Sequence, residues 1–320
     1  MAEVILFGEP MALFIGQEYG KLKDVTTFKK AMAGAELNVC IGLTRLEHPV
    51  LYVTKLGSKD PFGAYLYETI QKAGIDASGI SFDDGHPTGF MLKTKVRHGN
   101  PDTAYFRKNS AASCVGPEDI DRIPFGGVRH VHVTGIPCAL SKSCLAATLR
   151  LIERARENRV YVSFDPNLRP SLWESEAVMA KTLNDVACRC DMVMPGLSEG
   201  EILTGRHSAE EIADYYLAKG VRDVVIKTGR KGAYAQNASV RVEVPSFPVE
   251  TFAKVVDTVG AGDGFAVGVI SGRLEGLSLK DAVMRGNIIG GLQLTVEGDN
   301  EGLPTRSQLK EAMKHLPAET

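Results

Sequence analysis

Short apolar runs rich in β-branched residues alternate with longer amphipathic stretches along the chain. The runs at 4–8, 50–56, 131–134, 160–165, 192–194 and 224–227 have the length and composition of buried strands. Between them, residues 35–46, 61–73, 142–157 and 209–219 carry apolar positions at helical spacing. That alternation predicts an α/β fold of βαβ units, with a parallel sheet covered by helices on both faces. Ligands of such sheets bind beyond the carboxyl ends of the strands. Glu9, residues 165–169, Thr228-Gly229 and residues 257–264 all fall at such ends.

One region breaks the rhythm. Residues 90–97 alternate with period two, apolar residues and Thr94 on one face and mostly basic residues on the other. His98-Gly99-Asn100-Pro101-Asp102 reads as a turn, and residues 103–108 return as a second strand. A hairpin without a crossover helix cannot belong to the parallel sheet. Residues from about 11 to 32 look similarly strand-like. The segments 11–32 and 89–108 are therefore expected to form a small sheet that acts as a lid on a single domain spanning 1–320. Tyr105 and Arg107 are two apart on the returning strand and project from one face.

The chain's most telling stretch is Asp257-Thr258-Val259-Gly260-Ala261-Gly262-Asp263-Gly264-Phe265. It follows a strand-like run at 253–256 and opens a run of small and apolar residues that reads as a helix. Glycines let the backbone approach a ligand, and the first N–H groups of a helix are unpaired at the positive end of its dipole. Strand, glycine turn and helix start together make an anion site. A carboxylate in such a turn is repelled by phosphate, so Asp263 needs a reason to be there. A base that takes the proton of an alcohol attacking a phosphoryl group supplies one. The plainer reading is a strand-to-helix turn with Asp263 as a first-turn carboxylate. Phe265 stands at the third glycine position of G-x-G-x-x-G, and no G-x-x-x-x-G-K-[ST] occurs, so neither a dinucleotide fold nor a P-loop is indicated.

Other candidates are weaker alone. Arg169 lies in Asp165-Pro166-Asn167-Leu168-Arg169-Pro170, a loop stiffened by two prolines. Its planar fork, like that of Arg107, suits a carboxylate, so two arginines on one cleft imply an acidic substrate. Gly34 at a helix start and Asn38 one turn on can read sugar hydroxyls. Thr228-Gly229 and Asn287, on a helix with small residues, can line a nucleotide pocket.

Composition narrows the class further. At 320 residues, with 44% hydrophobic and 24% charged residues and a net charge of −2, the chain reads as a globular protein. Its scattered basic residues give no support for nucleic-acid binding, and no apolar run has membrane-spanning length. The N-terminus runs straight into Val4-Ile5-Leu6-Phe7 without a signal-like segment, so a cytoplasmic location is expected. Six cysteines without a C-x-x-C pair read as reduced core thiols rather than a metal site.

Taken together, these residues resemble the ribokinase-like (PfkB-type) carbohydrate kinases over nearly the whole length. Residues 33–38 look like that family's first signature, and 257–264 like its second, D-T-x-G-A-G-D. Within the family, Gly8-Glu9-Pro10, Tyr105-Phe106-Arg107-Lys108 with Ser110-Ala111-Ala112-Ser113, Thr134-Gly135-Ile136 and residues 165–169 ending near Trp173 look most like 2-keto-3-deoxygluconate kinases. The resemblance implies a three-layer ribokinase-like fold and an ATP- and magnesium-dependent kinase of a sugar acid, and allows a monovalent cation such as potassium. It implies Asp263 as base and the backbone of Gly260, Ala261 and Gly262 as anion hole. It puts Gly34, Asn38, Tyr105, Arg107 and Arg169 around the sugar acid, and Thr228, Gly229, Gly262 and Asn287 near the nucleotide. The lid can also join copies into a homo-oligomer.

Two departures stand out. The family's N-x-x-E reads Gly196-Leu197-Ser198-Glu199, so Glu199 faces magnesium, indirectly, without its Asn. Phe90 stands where a tyrosine is expected in some relatives, which removes a hydroxyl from the lid. Two other readings compete. A fructokinase or other neutral-sugar kinase leaves two arginines without a carboxylate. A non-catalytic sugar- or nucleotide-binding protein has no need of Asp263.

Overall fold

In the computed structural model, residues 1–96, 101–251 and 253–316 are described. Their strands are β1 (Val4–Phe7), β2 (Met11–Tyr19), β3 (Phe28–Ala33), β4 (Val50–Gly57), β5 (Ile80–Asp83), β6 (Phe90–Lys95), β7 (Thr103–Phe106), β8 (His130–Thr134), β9 (Tyr161–Asp165), β10 (Met192–Val193), β11 (Asp223–Lys227), β12 (Gly232–Asn237) and β13 (Arg241–Pro245). The larger sheet runs β13-β12-β11-β10-β9-β8-β1-β4-β5. Its strands are parallel from β11 to β5, while β12 and β13 add antiparallel at one edge.

The sheet is apolar on both faces because each inner strand is. Val4, Leu6, Val50 and Tyr52 pack into one core with Leu37, Val267 and Ile289 from the helices Ala35–Arg45, Ala261–Leu274 and Leu279–Gln293. Ile5, Phe7, Leu51 and Val53 pack into the other, with Leu151 and Leu183 from Lys142–Glu157 and Glu176–Ala187. These are the three layers that the alternation predicts. Two polar contacts interrupt the first core's face of the sheet, where His130 and His132 lie beside Val4 and Leu6. His130 Nε2 and His132 Nδ1 on β8 share the Ser163 hydroxyl on β9, at 2.7 and 2.8 Å.

The small sheet is also present, in the order β3-β2-β6-β7. β2 and β3 form a hairpin, β6 and β7 a second, and β2 joins them by parallel pairing with β6. Arg97 and the turn residues 98–100 lie outside the described residues. Pro101 and Asp102 are described, and the Asp102 N–H donates to Thr94 Oγ1 at 2.9 Å.

Three expectations need correction. The run 253–256 forms no strand, and Phe252 lies outside the described residues. Instead the Val256 and Asp257 N–H groups both donate to the Leu294 carbonyl, at 2.7 and 3.3 Å. Local β-branched propensity is overridden, because this segment meets a helix end rather than a sheet edge. Second, the structure has three strands, β5, β12 and β13, beyond those that the apolar pattern predicts. Their sequences are short, half-exposed or rich in small residues, so no run of apolar residues marks them. Third, Phe90 does not face the interior of the small sheet's cleft. It stacks on Phe106 with ring centroids 4.6 Å apart, in an aromatic group with Phe14 and Phe62. Met91, the next residue, is the one that faces the cleft, so a hydroxyl at position 90 would not reach it.

All six cysteines are free thiols, four of them buried. Among the described residues, no helix is long and apolar enough to cross a membrane.

Candidate active site

The glycine turn is built by three hydrogen-bond choices. Asp257 Oδ1 accepts from the Val259 N–H at 3.1 Å and folds the chain back on itself. Gly260 then adopts φ 77° and caps the helix Ala261–Leu274. A Cβ on Gly260 would lie 2.1 Å from the Asp299 carbonyl, so only glycine fits. Gly264 instead faces the next helix, where its Cβ would come within 3.2 Å of the Ile289 carbonyl. Gly262 alone of the three is open: a Cβ there would meet nothing nearer than Lys227 Nζ at 3.9 Å. The helix's first N–H groups thus converge on free space beside Gly262.

Two clefts, each of about 580 Å³, meet at this turn, sharing Lys227, Thr258 and Gly262 in their walls. The first lies under the small sheet. Gly34, Asn38, Tyr105, Arg107, Arg169, Glu199, Gly260, Gly262 and Asp263 all line it, as do the residues missed from sequence, Lys93, Lys227 and Asp299. The second is lined by Gly229, Phe247, Ala261, Gly262, Phe265, Asn287 and Gly290, among others. Thr228, expected beside a nucleotide, lines neither cleft; its N–H is tied to the Gly232 carbonyl at 2.9 Å. Asn287 is buried, and its amide donates to the Val244 and Pro245 carbonyls at 3.2 and 2.8 Å, so it braces β13 against the cleft wall.

Asp263 sits in the first cleft next to the shared wall. Its Oδ2 accepts from Asn38 Nδ2 at 2.8 Å, and Asn38 Oδ1 in turn accepts from Asn300 Nδ2 at 3.0 Å. The helix Ala35–Arg45 therefore positions the carboxylate through Asn38. It also fixes the 298–303 loop, because Arg45 Nη1 donates to the Asn300 and Leu303 carbonyls, both at 2.8 Å. Gly34, at φ 140°, starts that helix against the Glu9 carbonyl, 2.8 Å from where its Cβ would be. Burial pushes the Asp263 carboxyl up to about 7. The Asn38 bond opposes that shift, while the negative neighbours Asp165, Glu36 and Asp299 add to it. A carboxyl with that value is half ionised near neutral pH, which suits a general base.

The cations of the first cleft divide sharply. Lys93, on β6, is buried between Asp257 Oδ2 at 2.8 Å and Asp299 Oδ1 at 3.3 Å, and so ties the small sheet to the glycine turn. Burial alone would lower its pKa, but these two carboxylates raise it. Lys227 Nζ contacts Asp165 Oδ2 at 2.6 Å. Arg107 Nε donates to the buried Glu9 Oε2 at 2.6 Å, and a second guanidinium nitrogen pairs with the same carboxylate. Arg169 differs. It donates to the Asn167 and Leu168 carbonyls and meets no carboxylate among the described residues. Tyr105 is half exposed, its ring 5.7 Å from the Arg107 guanidinium carbon.

Glu199 is committed at both oxygens. Oε1 accepts from the Leu168 N–H at 2.8 Å and Oε2 from the Gly196 N–H at 2.7 Å, so Glu199 caps the start of its own helix, Leu197–Thr204, at the N-cap backbone. Each carboxylate oxygen keeps a second lone pair, so Glu199 and Asp165 can still face a hard cation. Sequence reasoning found the turn, the arginines and Asn38. It missed Lys93 and Lys227 because a single lysine at a strand position carries no pattern, and Asp299 because Glu297-Gly298-Asp299-Asn300 reads only as a turn.

A buried carboxylate beside a glycine turn at a helix start, at the junction of two clefts on a three-layer α/β sheet with a small sheet over one of them, is a sugar-kinase-like architecture. The chain belongs to the pfkB family of carbohydrate kinases, whose model matches residues 1–306. It is 48% identical to a 2-dehydro-3-deoxygluconokinase of Bacillus subtilis (strain 168), over 96% of this chain and 94% of that protein. It is 32% identical to a 2-dehydro-3-deoxygluconokinase of Thermoproteus tenax, over 99% and 95%. Among solved structures, a PfkB protein from Polaromonas sp. JS666 superposes with a TM-score of 0.88 at 41% identity, covering 97% of this chain and 99% of that one. A fructokinase from Vibrio cholerae O395, solved with fructose, ADP and calcium, gives 0.83 at 27% identity, covering 97% and 98%.

Proposed function

We propose that this protein transfers the γ-phosphoryl group of ATP to 2-keto-3-deoxygluconate (2-dehydro-3-deoxygluconate), giving the 6-phosphate. The observation that carries this reading is the charge balance of the first cleft. Of its four cations, Lys93, Arg107 and Lys227 are already paired with carboxylates, and Arg169 is left for a substrate's acid group. Its base, Asp263, is held by a neutral amide and is left for a hydroxyl. A sugar acid satisfies both ends. A neutral sugar leaves the Arg169 charge without an acid partner, and the 48% identity to a 2-dehydro-3-deoxygluconokinase, against 28–30% to plant fructokinases, points the same way.

In this reading the second cleft takes the nucleotide, with Gly229, Asn287 and the Gly262 backbone along it. Asp263 accepts the hydroxyl proton late, as the phosphoryl group moves in line past Gly262. The N–H groups of the turn and Lys227 stabilise charge on the transferring oxygens. The hard oxygens of Asp165 and Glu199 suit magnesium, which supplies charge neutralisation at the phosphates. Gly34, Asn38 and Tyr105 orient the sugar, and the small sheet, locked to the turn through Lys93, keeps water out. That sheet also exposes Tyr19 and Phe106, and we extend the reading to a homo-oligomer packed through it, which light scattering tests.

The test is ADP release over a panel of sugar acids and neutral sugars. The reading expects the highest kcat/KM for 2-keto-3-deoxygluconate. A preference for fructose would replace it with a neutral-sugar kinase.

A further inference from the structure

Outside both clefts, Asp83, His86 and Cys114 come together from two separate segments. A carboxylate oxygen, a ring nitrogen and the thiol sulfur lie within 4.8 Å of one another. Asp83 ends β5, His86 lies in the link to β6, and Cys114 lies in the short 3-10 turn Ala111–Cys114 that follows β7. The two segments are already joined by the Ala111 N–H, which donates to the Pro87 carbonyl at 2.8 Å. The cluster therefore bridges the two roots of the β6–β7 hairpin.

The donors are prepared differently. Asp83 Oδ1 is taken by the N–H groups of Gly85 and His86, at 2.7 and 2.8 Å, and by His86 Nδ1 at 3.0 Å. That turn holds the carboxylate in place and, among the described residues, leaves Oδ2 without a hydrogen bond. A carboxylate beside an imidazole also steadies the ring and its tautomer. Cys114 is half-buried, and its thiol makes only a long contact, 3.8 Å, to the Ser110 carbonyl. The nearby Lys55 is neutralised by Asp119 at 2.6 Å, so it puts no unbalanced positive charge beside a cation. Asp83, His86 and Cys114 also resemble a nucleophile, base and orienter. Neither cleft is lined by them, however, so a substrate has no seat there.

We propose that Asp83, His86 and Cys114 form a binding site for a borderline divalent cation, Zn²⁺, that clamps the two roots of the β6–β7 hairpin. One oxygen, one nitrogen and one sulfur donor, with water as fourth ligand, match zinc rather than the hard magnesium of kinase chemistry. Binding replaces the thiol proton with the metal and releases that proton to solvent. The spacing of cysteines in sequence misses such a site, because two of its three ligands are not cysteines.

The test uses metal-free full-length protein titrated with ZnCl₂ by calorimetry, and with Co²⁺ by absorption. The wild type is expected to bind one equivalent of Zn²⁺, to melt at a higher temperature with it, and to show a thiolate-to-cobalt charge-transfer band. Cys114→Ser should abolish that band, and both Cys114→Ser and His86→Ala should weaken Zn²⁺ binding by at least about tenfold, the scale at which even outer-shell partners matter. Kinase activity without zinc should stay unchanged in both variants, which also reports that they fold. No binding by the wild type, a cobalt spectrum lacking the thiolate band, or equal binding by Cys114→Ser would overturn the proposal.

Discussion

Arg107 and Arg169 share a charge and a cleft, yet their surroundings give them different duties. Arg169 keeps its guanidinium on two loop carbonyls and, among the described residues, has no carboxylate beside it, whereas Arg107 is bound to Glu9. Arg169→Ala should therefore cost about 2–5 kcal/mol in kcat/KM for the sugar acid, the range for breaking a desolvated charged pair, and far less for any neutral sugar the enzyme accepts. Arg169→Lys should recover part of it, since an ammonium lacks the planar fork. Arg107→Ala should also destabilise the fold, by about 3–5 kcal/mol, because it strands the buried Glu9 carboxylate. Urea unfolding of the two variants checks that asymmetry; equal stability would contradict it. Both arginines were visible in sequence, one by its strand alternation and one by its proline-stiffened loop. Their pairing was not, because Glu9 and Arg107 are 98 positions apart.

At the scale of the element, the three glycines of the turn have three separate roles: Gly260 for its backbone angle, Gly264 for helix packing, Gly262 for access. Gly262→Val should fold normally, since the added Cβ would meet no described residue beyond its own helix backbone and chain neighbours nearer than Lys227 Nζ at 3.9 Å, and should raise KM for ATP by crowding the junction. Gly260→Ala should instead lower the melting temperature, because both its angle and the Asp299 carbonyl forbid a side chain. A Gly262→Val enzyme with unchanged ATP kinetics would move the nucleotide elsewhere. The motif itself stood out in the sequence as a glycine-rich turn opening a helix. What fed it did not: residues 253–256 look like a strand by composition, and only the tertiary contact with the Leu294 carbonyl makes them a loop. The small sheet was readable as two segments of period-two alternation, but which face met the cleft needed the register of Met91 against Tyr105.

For the whole molecule, buried titratable groups pull stability in opposite directions with pH. Burial, first of all, pushes His130 and His132 down to about 3 from the ordinary 6.5. Folding thus favours their neutral form, and that stability is complete above about pH 6.5 and lost as pH falls toward 3. Asp263, pushed up to about 7, keeps its proton in the fold; its contribution is complete below the unfolded value, about 3.9, and is lost as pH rises through about 7. Between about pH 6.5 and 4, His132→Gln should therefore make the loss of unfolding free energy on acidification shallower, and Asp263→Asn should make it steeper. Each change should amount to at most about 1.4 kcal/mol per pH unit. Unfolding curves across that range check the signs, and unaltered slopes would contradict the burial account. The three layers and the cleft position followed from apolar periodicity; the His130–Ser163–His132 pairs did not, because polar residues inside a strand look like its exposed face. The proposed kinase chemistry rests on one carboxylate where two clefts meet, and steady-state turnover of Asp263→Asn, followed from acid to alkaline pH with ATP binding measured alongside, is the sharpest check on that role. The expected result is a fall of about 10²–10⁴ in kcat with ATP affinity kept, and loss of the wild type's acid limb near pH 7. A folded Asp263→Asn enzyme with near-normal turnover and the same acid limb would contradict it.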